Sequence, residues 1–136
     1  LAKHLPLDSP LLDVGCATGA LLAALESVGF TQLFGLDPSP KAVQTAAETT
    51  HARVYVGSIA FPPDALPRIA AISFAHVLEH VGDVRGVLRA IHRALADDGV
   101  LYVEVPDATR YRDHVVAPYQ DFNTEHINHF SPALLD

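Results

Sequence analysis

Cysteine is almost missing from these 136 residues: Cys16 stands alone. An internal disulfide is therefore excluded, and so is a zinc cluster built on cysteines. Basic residues are scarce as well, nine Lys and Arg against sixteen Asp and Glu, and they are dispersed along the chain. Nucleic-acid affinity needs a Lys/Arg patch that displaces counterions from phosphates, so a formal charge of −7 argues against a nucleic-acid partner. No apolar run reaches membrane-spanning length, and no signal-peptide pattern opens the chain. Repeats, low-complexity tracts and linker-like stretches are also lacking. The expectation is a soluble, cytoplasmic protein with no membrane partner. Its apolar content of 49% is enough for one ordinary domain with its own core.

The rest of the chain is organised around LLDVGCATGALLAAL, residues 11–25. An apolar run breaks at Gly15, meets a second glycine at Gly19, and continues with Leu and Ala at helical spacing, which predicts strand, tight loop and helix. Glycines in such a turn accept positive φ and let backbone N–H groups approach a ligand. A dinucleotide fingerprint, GxGxxG or its variant ending in Ala, can be laid on Gly15 and Ala20, but Ala17 stands where the middle glycine should approach a pyrophosphate. Asp13 would also repel a pyrophosphate in a poorly screened loop. An acidic strand end suits a cation better. S-adenosylmethionine (SAM) carries a sulfonium and an ammonium and no phosphate. A tight strand-to-helix turn in some other α/β protein remains the plain alternative.

Further along, Gly29 is placed to cap the first helix, and QLFGLD predicts a second strand ending at Asp37, roughly 20 residues beyond the loop, where a carboxylate can accept ribose hydroxyls. A turn or capping role is the alternative, because Pro38, Ser39 and Pro40 follow at once. Ser39 and Pro40 mark a helix start, RVYVGS (residues 53–58) a third strand, and IAAISFAHV (residues 69–77) a fourth. Pro62, Pro63 and Pro67 restrict residues 59–68 to a loop with one helical turn at most. His76, Glu79 and His80 spell HxxEH, an inverted zinc-protease motif that needs both histidines on one helix face. A strand runs directly into His76 and Gly82 follows, so no such helix is expected. Asp83 caps a helix whose apolar face is Val84, Val87, Leu88, Ile91 and Leu95, with Arg85, Arg89 and Arg93 on a solvated face. ADDG is expected to close that helix, before a fifth strand over residues 100–106. Residues 107–120, which include His114, read as an irregular connection or lid. Ser131 and Pro132 signal a final helix start, and LAKHL reads as the tail of a preceding one.

DVGCATG resembles the glycine-rich first motif of class I SAM-dependent methyltransferases, and VLEHV resembles the LEH signature of many small-molecule members. FNTEHINHFS resembles an EHxxxF segment that borders the acceptor pocket in members acting on sugars and other small metabolites. Alternating strands and helices with right-handed crossovers point to the same fold class: α/β, a doubly wound Rossmann-like parallel sheet in order 3-2-1-4-5. Class I members normally add two more strands, which are absent here, so residues 1–136 are expected to be a SAM-binding domain truncated at both ends. The exposed fifth strand makes a homodimer the expected assembly.

The resemblance implies SAM as cofactor and S-adenosylhomocysteine as product, held by Asp13, Gly15, Cys16, Ala17, Gly19, Asp37, Pro38, Ser58 and His76. Ser58 stands where family members often carry an acidic residue against the adenine amino group, and Ala70 replaces another frequent acid. The implied reaction is methyl transfer to an O or C nucleophile of a small-molecule acceptor, a sugar among the candidates. His80, His126 and His129 are the proton-transfer candidates, since neutral imidazole takes a proton near neutral pH. The Glu125 carboxylate is placed to fix a ring's tautomer. Helix capping, or a metal held by Glu125, His126 and His129, are the competing roles of that segment, and no metal is assigned. A catalytically inert SAM-binding or assembly domain and an NAD-dependent oxidoreductase are the competing functions.

Overall fold

The computed structural model describes residues 5–113 and 117–135, so the helix tail expected at LAKHL and the loop position His114 fall largely or wholly outside it. Five strands form one sheet: β1 (Leu11–Val14), β2 (Leu33–Asp37), β3 (Arg53–Val56), β4 (Ile69–Ala75) and β5 (Leu95–Glu104). The sheet is parallel throughout, in order β3-β2-β1-β4-β5. Helices α1 (Ala20–Ser27), α2 (Pro40–Thr49) and α3 (Val84–Ala94) supply the crossovers, and α4 (Pro132–Leu135) follows late in the chain.

Alternation along the strands divides the core in two. Leu12, Val14, Phe34, Leu36, Ile72 and Phe74 pack with Val87 and Ile91 of α3. Leu11, Leu33 and Ala71 point the other way, onto Leu22 of α1 and Cys16. Because side chains alternate faces, Asp13 shares the α1 face with Leu11. The Ser39 hydroxyl caps α2 by accepting from the Ala42 N–H, with Pro40 at the first helical position, and the Asp83 carboxylate caps α3 by accepting from the Gly86 N–H.

Two boundaries depart from the sequence reading. ADDG does not close a helix: α3 ends at Ala94, and residues 96–99 lie inside β5. Ile69 pairs with Leu95 but Ala71 pairs with Val100, so β5 carries extra residues as a bulge. A Cβ on Gly99 would come within 2.9 Å of the carbonyls of both Ala96 and Ile69, which explains the glycine there. The third strand stops at Val56, short of the expected Ser58, while residues 59–68 form a loop of turns with a Ser58–Phe61 bridge, as the three prolines require. After β4, VLEH forms only a three-residue 3-10 turn, Leu78–His80, in keeping with the absence of a helix at HxxEH.

Candidate functional site

The loop between β1 and α1 is held through its backbone N–H groups, most of them bonded to the end of β2. Gly15 and Cys16 N–H both donate to the Leu36 carbonyl, at 2.7 and 3.1 Å, and Gly19 N–H donates to the Cys16 carbonyl at 2.8 Å. Ala17 N–H donates to Asp37 Oδ2 at 2.9 Å, while Ser39 N–H donates to Oδ1 at 2.8 Å. Gly15, Ala17 and Gly19 all have positive φ. The glycines therefore serve loop shape and close packing: a Cβ on Gly15 would collide with Val77 Cγ2, and one on Gly19 would stand 3.0 Å from Ala46 Cβ. Cys16 is buried against Gly35, and its thiol is pushed up to about 12 by burial and by the nearby charges of Asp13 and Asp37. It is packing, with no thiolate at neutral pH.

A pocket of about 620 Å³ opens beside this loop, lined by Gly15, Pro38, Gly57, Ser58, Val77 and His80 among others. It lies at the carboxyl ends of β1, β2 and β4, the switch point of a doubly wound sheet. Asp37, only 8% exposed, stands at the end of β2 next to Pro38 of the pocket wall, its carboxylate fixed by the two backbone bonds. Asp13 lies elsewhere. It is paired in register with Ser73 and lines a separate groove on the α1 face, where burial pushes its carboxyl up to about 6, with the Ser73 side chain opposing and Asp37 adding to the rise.

A second pocket of about 530 Å³ is lined by His76, Glu79, His80, Asp107, Arg110 and His126, with further acidic residues. His80 lines both pockets. His76 leaves β4 with φ of 55°, its N–H donating to the Glu104 carbonyl, and its ring lies 3.5 Å from Glu79 Oε1 and 3.3 Å from Glu104 Oε1. His80 and His126 meet edge-on, ring centroids 4.9 Å apart. The His80 tautomer is set by the Glu125 backbone carbonyl, 2.8 Å from Nδ1, where the sequence pointed to the Glu125 carboxylate. His129 stands apart from this pair: Nδ1 is 3.3 Å from the Tyr111 hydroxyl, and Phe122 stacks on the ring. Burial, then the charges of Asp121, Glu79 and Asp107, raise the Tyr111 phenol above its ordinary range.

Two residues of this region went unassigned in the sequence. Glu79 is 1% exposed, and Asn128 joins the segments by donating through Nδ2 to the carbonyls of Leu78 (3.1 Å) and Val81 (2.7 Å). Asn128 N–H also donates to the Glu79 carbonyl at 3.0 Å. Only the chain's return through residues 123–130 brings these partners together.

The sequence profile described as a methyltransferase domain matches residues 1–136. The chain belongs to that family. This methyltransferase domain is 32% identical over 107 residues to a ubiquinone biosynthesis O-methyltransferase of Caulobacter sp., covering 73% of the chain and 41% of the relative. In fold it is similar to a chain from the complex between the Haloferax volcanii Trm112 methyltransferase activator and a methyltransferase, with a TM-score of 0.81 and 23% identity over 98% of the domain and 61% of that chain. It is also similar to the plantazolicin methyltransferase BpumL, solved with a pentazolic desmethylPZN analog and SAH, at a TM-score of 0.78 and 15% identity over 93% of the domain and 52% of that chain. The methyltransferase domain thus spans less than two thirds of each of these relatives.

Proposed function

We propose that this chain binds SAM in the pocket beside residues 15–19 and positions it for methyl transfer to an O or C nucleophile of a small molecule held in the His76–His126 pocket. One observation carries the choice of cofactor. A pyrophosphate cradle needs backbone N–H groups turned to the ligand. Here those of Gly15, Cys16, Ala17 and Gly19 are all spent on the protein's own carbonyls and on Asp37. Such a loop suits a ligand without phosphates.

SAM, when bound, supplies the activated methyl group and its own leaving group. The chain has to hold the partners in line and handle a proton. Pro38 and Ser58 line the pocket, with Ser58 suited to a hydrogen bond from an adenine amino group, and Asp37 keeps lone pairs beyond its two backbone bonds for ribose hydroxyls. His80 joins this pocket to the one beside it. His129, with the Tyr111 hydroxyl against Nδ1, is a third imidazole available for the proton. The polar lining of the second pocket suits a hydroxyl-bearing acceptor, a sugar included. Calorimetry with SAM, S-adenosylhomocysteine and NAD tests this reading: the first two should bind and NAD should not. Binding of NAD alone would overturn it.

A further inference from the structure

We propose that Glu79, His80 and His126 form a site for one divalent transition-metal ion. Two segments build it: the 3-10 turn after β4 and the stretch that returns after β5. One donor atom from each of the three residues lies within 4.8 Å of the others, the one such grouping of at least three His, Cys, Asp or Glu found among the described residues. Neither arrangement weighed from the sequence is the one assembled. The three-residue turn does not present His76 and His80 on a helical face, and His129 is engaged with Tyr111 and Phe122.

All three side chains have a donor to spare. The Glu125 carbonyl beside His80 Nδ1 can only accept, so Nδ1 carries the hydrogen and Nε2 keeps its lone pair. Backbone carbonyls commonly orient metal-bound histidines in this way. His126 Nδ1 and Glu79 Oε2 are both buried with no hydrogen-bond partner among the described residues. Buried polar atoms are nearly always satisfied, and two orphans in one cluster point to a ligand that satisfies both. The Glu79 carboxylate is 1% exposed and meets the His76 ring only at 3.5 Å, so a cation would offset a charge otherwise poorly compensated. Asp107, Asp113 and Asp121 line the same pocket; Asp113 is paired with Arg110 and Arg112 at 4.0 and 3.3 Å, and Asp107 adds a carboxylate on the side of the cation.

Two imidazoles and a carboxylate, without a thiolate, suit zinc, cobalt, nickel, iron or manganese better than calcium or magnesium. Donors about 2.0–2.2 Å from a tetrahedral zinc-like ion lie roughly 3.3–3.6 Å apart, so a set spread over as much as 4.8 Å has to draw together on binding, by side-chain rotation at the rim of the pocket. Three protein ligands leave positions for water or for an oxygen of a bound molecule. The catalytic consequence rests on the methyl-transfer reading above: His80 and His126 would hold the ion, and proton acceptance would pass to His129. Metal binding itself does not depend on that reading.

The test is to titrate the chain, stripped of metal and without SAM, with Co²⁺ followed by visible absorption and with Zn²⁺ followed by calorimetry. One equivalent should bind, with ligand-field bands of a nitrogen and oxygen set. His126→Gln and His80→Ala should each weaken binding by at least about 100-fold, and Glu79→Gln by at least about 10-fold, in variants that keep a cooperative thermal melt. His51→Ala and His92→Ala, which change exposed histidines elsewhere, should bind as the parent does. Absence of stoichiometric binding, or parent-like binding by folded His126→Gln and Glu79→Gln, would overturn the site. Metal binding in a chain that takes neither SAM nor its product would overturn the cofactor reading and leave this one standing.

Discussion

The Ala17 N–H donates to Asp37 Oδ2 at 2.9 Å, tying the turn after β1 to the end of β2. A carboxylate that accepts two backbone N–H groups has its position fixed before any ligand arrives. Asp37→Ala should therefore lower stability and cofactor affinity together. Losing hydrogen bonds to a charged group corresponds to about 1.5–3 kcal/mol, or roughly 10- to 150-fold in the S-adenosylhomocysteine dissociation constant. Calorimetry and a thermal melt on the same variant check both effects, and unchanged affinity in a folded protein would remove Asp37 from the site.

Two glycines of the 620 Å³ pocket should answer differently to a single methyl group. Gly15→Ala drives a Cβ into Val77 Cγ2 at a φ of +77°, so it should destabilise the chain by about 1–3 kcal/mol. Gly57→Ala meets nothing within 4 Å and should leave the melting temperature almost unchanged. Differential scanning calorimetry of the pair decides whether the glycine loop is under steric constraint.

Asp13 predicts a pH dependence whose sign can be worked out. Its carboxyl in the folded chain titrates at about 6, above the ordinary 3.8, so the folded state binds the proton more tightly than the unfolded state. Stability is then greatest below the unfolded value and falls as pH rises from about 4 to about 6. Asp13→Asn should flatten that part of the profile and raise stability at pH 7 by up to about 2–3 kcal/mol, at about 1.4 kcal/mol per pH unit of displacement. Denaturant unfolding at pH 4, 5, 6 and 7 measures the slope; an equal slope in both proteins would clear Asp13 of causing it.

Among the described residues β5 pairs with β4 alone, and this edge strand carries Val100 and Tyr102, 43% and 42% exposed. Unpaired strand edges bind other strand edges. The isolated chain should self-associate with rising concentration, and Val100→Lys or Tyr102→Lys should reduce this while leaving the circular dichroism spectrum unchanged. Light scattering across a concentration series follows the effect. A parent chain that stays monomeric at high concentration contradicts the expectation.

The glycine loop and the Ser39 and Asp83 caps were legible because each depends on residues close in sequence, and the strand order because alternating strands and helices with right-handed crossovers leave few arrangements of a parallel sheet. Leu95 was misread for a physical reason: it continues the helical spacing of Val87, Leu88 and Ile91, but pairing with Ile69 draws it into β5. The commitment of the loop N–H groups was hidden as well, since their acceptors, Leu36 and Asp37, come from the next strand. Glu79 looked like one letter of a short motif; its burial depends on the return of residues 123–130 over the turn that carries it. The pairing of His80 with His126 was beyond reach for the same reason.

Asn128 acts as a clasp between a late segment and an early one, holding the carbonyls of Leu78 and Val81 through its amide and that of Glu79 through its own N–H. A shortened chain ending soon after β5 would keep every strand of the sheet, yet the carbonyls of Leu78, Glu79 and Val81 would lose their bonds from Asn128, with only that of Leu78 keeping a second donor, the Val81 N–H. The smallest piece that folds and the smallest piece that keeps the pocket wall are therefore different lengths of the same sequence.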